Sequence, residues 1–550
     1  MTPEILDLLF PNPLPTVAEI EAKYPPRQLP EGAVVSRLAP SPTGYLHLGN
    51  FYQGFMAERL AHQHKGVFFL RIEDTDQARK VEGAIEVVLR AMGHYGVVPD
   101  EGAQMDGSER GNYGPYTQSE RKEIYQAYVK ELVAKGLAYP CFCTAEEMDL
   151  VRKIQAKQGL RTGYYGHYAK CRNLSDDEIL ANLKAGKSFC IRLKSTGDYS
   201  RRIVVDDLLK GKVSLPEYDI DAVIMKANDG LPTYHFAHLI DDHLMHTTHV
   251  VRGEDWLPSV PLHLQMFHMM GWQPPQYAHH ALLQKLGEDG KRRKISKRLD
   301  PEANIEYFAE HGYPQDAVLE YLLNLMNASF EDWRKQNPEI PVFDFPMNIH
   351  KISNTAGALF DMIKLNSIAR EVVARMSAEE VYDKVLIWAK KYKPEFASLL
   401  ENNREKCISI FNIERGIGAK SRKDLFKWED AEKETEFFFQ APKFDWALLD
   451  SISKDDIVKV ASEYAAIYNP ADSKEDWFAK IKEVAGANGF ATDMKAYKAN
   501  PSAFKGSVAD VAKILRVAVT GRIQSPDLYA IMQILGKDEV LARLKLNDRV

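Results

Sequence analysis

From Ala33 the run AVVSRLA reads as a buried strand, and the SPTG that follows breaks it with Pro42 and Gly44. Tyr52, Phe55, Met56 and Leu60 then recur at i, i+3, i+4 and i+8, which predicts a helix with one apolar stripe. Val67 to Ile72, VFFLRI, is a short continuous apolar run, as a parallel strand covered on both faces requires. Strand, glycine-bearing turn, helix and strand within about 40 residues make a βαβ unit. In open parallel sheets ligands bind beyond the carboxyl ends of the strands, which puts SPTGYLHLGN at a binding edge.

Residues 120–222 interrupt this rhythm, and YDIDAVIMKANDGLPTYHFAHLIDD then restores strand-like runs. The economical reading is one sheet in two halves, 33–119 and 223–260, with a domain inserted between them. A further region, 261–340, carries the segment KISKR. Beyond about residue 310 the spacing is repeatedly helical, as in AREVVARM, DDIVKVASEYAAIY, WFAKIKEVAG and DEVLARLKL, so 341–550 is expected to be all-α. Residues 1–32 are punctuated by proline and precede the first core strand as an extension of unread role.

Composition narrows the class. At 550 residues the chain exceeds the size at which one core stops growing, so roughly three to five structural units are expected. Hydrophobic residues at 45% and charged residues at 27% leave no case for wholesale disorder. No run approaches the roughly 20 apolar residues that span a bilayer, and MTPEILDLLFPNPLP has acids and prolines where a signal peptide is basic and then apolar. A cytoplasmic protein without membrane contact is expected. A net charge of −6 argues against indiscriminate nucleic-acid binding but allows local basic surfaces. The densest is KRRKISKR at 291–298, which by itself reads first as a solvated face.

Five cysteines, three of them at Cys141, Cys143 and Cys171, suit a reducing compartment and one metal better than a disulfide framework. With His167 the pattern is C-x-C-x23-H-x3-C, four ligands of the types zinc prefers. The competing reading is a small core of reduced thiols, and Tyr164, Tyr165 and Tyr168 crowd the same loop. His47 and Gly49, taken singly, fit a histidine at a helix start and a packing glycine. Together with Gly44 at a helix N-terminus they offer backbone N–H groups and an imidazole donor to a phosphate. The loop has neither the P-loop pattern nor GxGxxG.

RLAPSPTGYLHLGN resembles the HIGH motif of class I aminoacyl-tRNA synthetases, and KISKR at Lys294 to Arg298 resembles their KMSKS motif. RIEDTDQAR, LPTYHFAHLIDDHLM, THVVRGEDW and GALFDMIKL are similar to segments of the bacterial-type glutamyl-tRNA synthetases, and RVAVTGRIQSPDLYAIMQILG resembles their closing helical domain. The likeness spans roughly residues 33–546. Glutaminyl enzymes typically open with a variant of the PEPNGYLHIGH kind, carry DDTN in place of EDTD and end in β-barrels; this chain follows the glutamyl pattern at all three points.

The resemblance implies activation of L-glutamate with ATP and Mg²⁺ to an adenylate, then transfer to the 3′-terminal adenosine of tRNA(Glu). It implies an α/β, Rossmann-type class I catalytic domain split by an inserted acceptor-end-binding domain, then a stem-contact region and an all-α anticodon-binding region, in a monomer. A carboxylate nucleophile needs no general base; it needs cationic donors for the charge that builds on the phosphate. His47 and Lys297 are assigned that task with Lys294 in support, and Gly49 and Ser296 complete the ATP site. Glutamate carries two carboxylates and one ammonium, so its pocket needs an arginine fork and an acid. By resemblance Arg37, Tyr234 and Arg252 hold the side-chain carboxylate, while Glu73 and the segment from Ala39 to Ser41 hold the ammonium. Trp256 either flanks the nucleotide or is an ordinary packed tryptophan. Arg415, Arg516 and Thr520 to Leu528 are implied anticodon contacts. Zinc occurs in the insertion of some family members. The alternatives are glutaminyl transfer, a form that also charges tRNA(Gln) with glutamate, a noncatalytic RNA-binding paralogue, and a tRNA-free nucleotidyltransferase, the last disfavoured by the helical end. The position that decides tRNA choice falls near GIGAKSRKDL, where the likeness gives no secure register.

Overall fold

The computed structural model describes residues 1–352, 358–415 and 422–546. The chain divides into two compact units, Met1–Tyr307 with Leu319–Asp361, and Phe308–Val318 with Met362–Val550.

The first unit begins with two short helices, α1 (Pro3–Leu9) and α2 (Val17–Lys23), the second opened by a reciprocal capping pair between Thr16 and Glu19. These residues are not loosely appended. Ile5, Leu9, Phe10, Ile20 and Tyr24 are buried in the same core as Tyr128, Leu132 and Met245. Polar contacts fasten the segment further: the Tyr24 hydroxyl donates to Gly114 O at 2.8 Å, and Arg27 forks onto Glu101 at 2.8 Å and donates through Nε to Met245 O.

The βαβ unit follows. Strands β1 (Val35–Leu38) and β2 (Val67–Leu70) are parallel, Arg37 lies opposite Phe69, and helix α3 (Leu48–Gln63) crosses between them. Gly66 lets the crossover close, since a Cβ there would sit 1.8 Å from Val34 O. The expected stripe on α3 is buried, yet so is the opposite side of the helix. Glu58 and Arg59 are buried and pair at 2.6 Å, because Phe55 and Arg59 pack against Phe343 while the sheet covers the other face. After α4 (Ala84–His94) come β3 (Glu101–Ala103), parallel beside β2, and β4 (Glu109–Arg110), antiparallel at the edge.

Helix α5 (Lys122–Ala134) leads into β5 (Ala138–Cys141), α6 (Ala145–Lys157), α7 (Asp176–Lys184) and β6 (Cys190–Leu193). The hairpin β7 (Arg202–Asp207) and β8 (Gly211–Pro216) follows, and β9 (Val223–Met225) closes an antiparallel sheet of order β5-β6-β9. Helix α8 (Tyr234–Leu244), β10 (His249–Gly253), α9 (Val260–Met270) and β11 (Gln276–His280) then resume the parallel pattern, with Arg252 opposite His279. Thr248 N–H donates to Val35 O at 3.0 Å and ties β10 to β1. A ribbon of β12 (Leu283–Leu286) and β13 (Arg292–Lys294), with Gln284 opposite Lys294, carries KISKR.

The second unit is helical, including Met362–Arg375, Lys454–Ile467, Lys474–Ala487 and Lys537–Leu544 where the periodic segments predict helices. Its cores gather around Trp388 and Phe411, and around Tyr464 and Leu515. Arg415 donates to the carbonyls of Phe411, Val373 and Met376, and burial pulls it down to about 10. Arg516 donates to Ser525 O and Pro526 O. Both guanidiniums brace backbone carbonyls, Arg415 through Nε and Nη1 and Arg516 through Nη1. Residues 416–421 of GIGAKSRKDL lie outside the described residues, and so does Gly357 of GALFDMIKL. Among the described residues no helix is long and apolar enough to cross a membrane.

Candidate functional site

Beyond the carboxyl ends of β1, β2 and β10 lies a cavity of about 680 Å³ lined by Arg37, Ala39, Ser41, Glu73, Tyr234 and Arg252, with Asn50, Gln53, Lys226 and Trp256. A second cavity of about 250 Å³ shares Asn50, Gln53 and Trp256 with it and is lined by His47, Gly49, Lys294 and Lys297. The residues assigned from sequence to an amino acid and to a nucleotide thus fall into two adjoining spaces. Trp256 forms part of both walls and packs on Tyr234 with ring centres 4.3 Å apart.

The two arginines of the larger cavity differ in their company. Arg37 is buried and its Nε lies 3.3 Å from Asp242 Oδ1, which Arg71 Nη1 also meets at 2.6 Å. Arg71 reaches Glu73 at 3.0 Å, and Arg121 meets the neighbouring Asp241 at 2.7 Å. Opposed charges in this belt hold Asp242 well below the usual carboxylate range, burial being offset by Arg37 and Arg71. Burial raises Glu73 despite Arg71 and Arg37, so an incoming ammonium would stabilise its charged form. Arg252 has no carboxylate partner among the described residues. Its Nη1 is buried without a hydrogen-bond partner, and its other nitrogens face histidines. A buried, uncompensated guanidinium beside a cavity is a carboxylate receptor in waiting.

His47 is the N-cap of α3, and its Nδ1 accepts from Gly49 N at 3.0 Å. The Gly49 N–H that sequence reasoning offers to phosphate is therefore used to orient the ring. A Cβ at Gly49 would come 3.1 Å from that Nδ1 and crowd the ring. With Nδ1 accepting, the ring proton sits on Nε2. Burial, then Lys297 and Lys294, pull His47 from 6.5 to about 4, so the ring is neutral near pH 7. Lowered in this way, the ring stays uncharged until pH falls to about 4. The kcat/KM for adenylate formation, which reports the free protein, should therefore show no His47 titration between about pH 8 and 5.5, and ¹⁵N NMR of the free protein should report the neutral Nε2–H form; an imidazolium spectrum at pH 7 contradicts this.

In KISKR, Asp300 organises the turn by accepting from Ser296 N at 2.8 Å and from both Nη atoms of Arg293. Ser296 accepts from Arg298 N through its hydroxyl and does not line the smaller cavity, so it shapes the loop. Lys294 pairs with Asp255 at 3.1 Å. Lys297 stands 4.5 Å from the Tyr45 ring centre, without a carboxylate partner among the described residues.

The Sγ atoms of Cys141, Cys143 and Cys171 lie within 4.8 Å of one another and could hold a metal ion. His167 is not brought to them; it is exposed, with its ring 3.9 Å from that of Tyr168. The Tyr164 hydroxyl faces the thiols, 3.4 Å from Cys141 Sγ and 3.3 Å from Cys143 Sγ, and Cys190 lies opposite Cys141 across β5 and β6.

Sequence reasoning missed Asp242, Arg71, Asp207, His263 and His279. Asp242 and Arg71 sit inside quoted segments, LIDDHLM and RIEDTD, where adjacent acids and an arginine in apolar runs signalled buried pairing.

Residues 33–337 match the family described as tRNA synthetases class I (E and Q), catalytic domain, and residues 424–547 match an anticodon binding domain. The chain is 46% identical over 545 residues to a glutamate–tRNA ligase of Clostridium perfringens, covering 98% of this chain and 99% of that one. It is 45% identical over 547 residues to a glutamate–tRNA ligase of Acetivibrio thermocellus, with 98% and 99% covered. A crystal structure of a glutamate tRNA ligase from Elizabethkingia meningosepticum in complex with its amino acid superposes with a TM-score of 0.75 at 28% identity, over 94% of this chain and 99% of that one.

Proposed function

We propose that in this chain, which belongs to the class I tRNA synthetases of the glutamate and glutamine type, the larger cavity holds L-glutamate and the smaller one the phosphates of ATP. The activity is that of an ATP-dependent glutamate–tRNA ligase. A glutamate α-carboxylate oxygen attacks the α-phosphorus of ATP and pyrophosphate leaves; the 3′-terminal ribose hydroxyl of tRNA then attacks the carbonyl carbon and AMP leaves. Arg252 Nη1 and Tyr234 meet the side-chain carboxylate, and Arg37, already paired with Asp242, contributes less. Glu73 with the Ala39–Ser41 backbone meets the ammonium. His47 Nε2–H and Lys297 bind the charge that grows on the phosphate as pyrophosphate departs, with Lys294 beside them and Mg²⁺ on the nucleotide.

The observation that carries this reading is a buried cation with a free donor, Arg252, next to a cavity that holds His47 and Lys297. Residues 120–222 are assigned to the acceptor end, 261–340 to the stem and 341–550 to the anticodon. The protein works in the cytoplasm as a monomer, where tRNA and ATP meet. ATP–pyrophosphate exchange with glutamate and tRNA, followed by aminoacylation of separated tRNA pools, tests the reading: tRNA(Glu) should be charged with glutamate, and the tRNA(Gln) pool decides whether the enzyme discriminates. Absence of exchange would leave the noncatalytic RNA-binding paralogue.

We also assign one Zn²⁺ to Cys141, Cys143 and Cys171. Zn–S bonds of about 2.3 Å in a tetrahedron separate sulfurs by about 3.8 Å, and Cys143 and Cys171 Sγ stand 3.7 Å apart. The Tyr164 hydroxyl fits the fourth position better than His167, and the ion would tie β5 to the 164–171 loop. Metal analysis of protein prepared without chelators should find about one zinc equivalent, which Cys141→Ser loses. A zinc-free preparation that charges tRNA normally removes the site.

A further inference from the structure

We propose that Asp207 and His279 are positioning residues for Arg252, and that through it they set the preference for a side-chain carboxylate over an amide. This rests on the reading of Arg252 given above.

Arg252 Nε donates to His279 Nε2 at 3.0 Å, and its Nη2 lies 3.3 Å from His263 Nδ1. The guanidinium carbon stands 4.9 Å from the Tyr277 ring centre. One edge and one face of the guanidinium are thus held, and Nη1 alone is without a partner among the described residues. Both holding groups are neutral acceptors. Burial, with Arg252 itself, keeps His263 and His279 below their ordinary range. A carboxylate in either place would satisfy the same N–H groups but cancel the charge, as Asp242 does for Arg37. Histidine fixes the guanidinium and leaves its charge for the substrate.

His279 can accept at Nε2 only if its proton is on Nδ1, and Nδ1 lies 2.6 Å from Asp207 Oδ2. Asp207 ends β7, and its Oδ1 accepts from Leu209 N at 3.0 Å and Lys210 N at 2.9 Å. His279 N also lies 3.2 Å from both oxygens, so three backbone donors reach Oδ1, while Oδ2, with that one shared donor, faces the imidazole and fixes the His279 tautomer. On the other side His263 Nε2 lies 3.0 Å from His235 Nδ1, so with the His263 proton on Nε2 its Nδ1 is the acceptor for Arg252. The hairpin of the inserted segment thereby reaches the substrate-binding arginine through one imidazole.

Asp207→Asn tests this against a purely structural role. Asn keeps the shape, and its oxygen can retain the three backbone donors, Leu209 N, Lys210 N and His279 N, which places the NH₂ against His279 Nδ1. The ring proton must then move to Nε2, where it faces Arg252 Nε–H. Asp207→Ala lets the ring choose its own tautomer. A structural role predicts that Ala is the worse substitution; tautomer control predicts that Asn is. We expect Asp207→Asn to raise KM for glutamate roughly 5- to 100-fold, the cost of setting a buried donor against a donor. KM for ATP should stay unchanged, the glutamate-to-glutamine ratio of kcat/KM should fall, and Asp207→Ala should be milder. His279→Gln, which keeps an acceptor near Nε2, should retain more glutamate affinity than His279→Leu. In an Arg252→Gln background Asp207→Asn should add nothing. The proposal is overturned if Ala equals or exceeds Asn, or if the Asn effect persists in full without Arg252. If Arg252→Gln alone leaves the ratio untouched, the pocket reading itself fails and takes this inference with it.

Discussion

Arg252→Gln should lower kcat/KM for glutamate by roughly 30- to 900-fold, or about 2–4 kcal/mol, as expected when one partner of a buried charge pair is truncated. Glutamine should lose far less. The guanidinium makes charge-assisted hydrogen bonds to a carboxylate, whereas an amide turns an NH₂ group toward a cation. Arg37 lines the same cavity, but its charge is already met by Asp242 at 3.3 Å, so it offers limited compensation. The measurement is pyrophosphate exchange with each amino acid at saturating ATP. Equal impairment of glutamate and glutamine would move Arg252 from specificity to support of the fold or of ATP.

Lys297→Ala should slow adenylate formation by roughly 10²- to 10³-fold in kcat while KM for glutamate stays close to its original value. Lys297 lines the smaller cavity and not the larger, so its loss should leave the larger cavity intact. Its ammonium sits over the Tyr45 ring, no carboxylate among the described residues neutralises it, and a phosphate that gains charge in the transition state binds it more strongly than the ground state does. Lys294 already pairs with Asp255, so Lys294→Ala should cost less. Single-turnover adenylate formation separates these effects from product release. A Lys297→Ala enzyme with unchanged turnover would take this residue out of the mechanism.

Much of this site was legible because its parts lie on local periodicities. The β1–α3–β2 crossover and the loop between Ser41 and Gly49 follow from apolar runs and turn residues only a few positions apart. What holds those parts was not legible, since it depends on distant pairing. Asp242 meets Arg37 across 205 residues of chain, and although its apolar surroundings signal a buried pair, no local pattern names the partner. His279 and His280 are adjacent in QYAHH, and only the pairing of β10 with β11 shows that His279 is the one opposite Arg252. The thiol cluster teaches the converse. Residue spacing favours His167 as fourth ligand, but the turn that carries it aims the ring at Tyr168 and brings Tyr164 inward. For the first 32 residues the signal was present yet brief: Ile5 with Leu9, and Ile20 with the C-cap Tyr24, are i, i+4 pairs at helices of only seven residues.

That early strap sets a schedule for synthesis. The carbonyls of Pro25 and Tyr24 are bonded by Tyr113, 88 residues on, and by His246, 222 residues on, while Arg27 waits 218 residues for Met245. At about 5–20 residues per second the later partners emerge roughly 10 to 45 seconds after the strap itself. For that interval Ile5, Leu9, Phe10 and Ile20 are apolar side chains on a nascent chain without their Met245 neighbour. The catalytic unit is thus latched by residues translated long before their last partners.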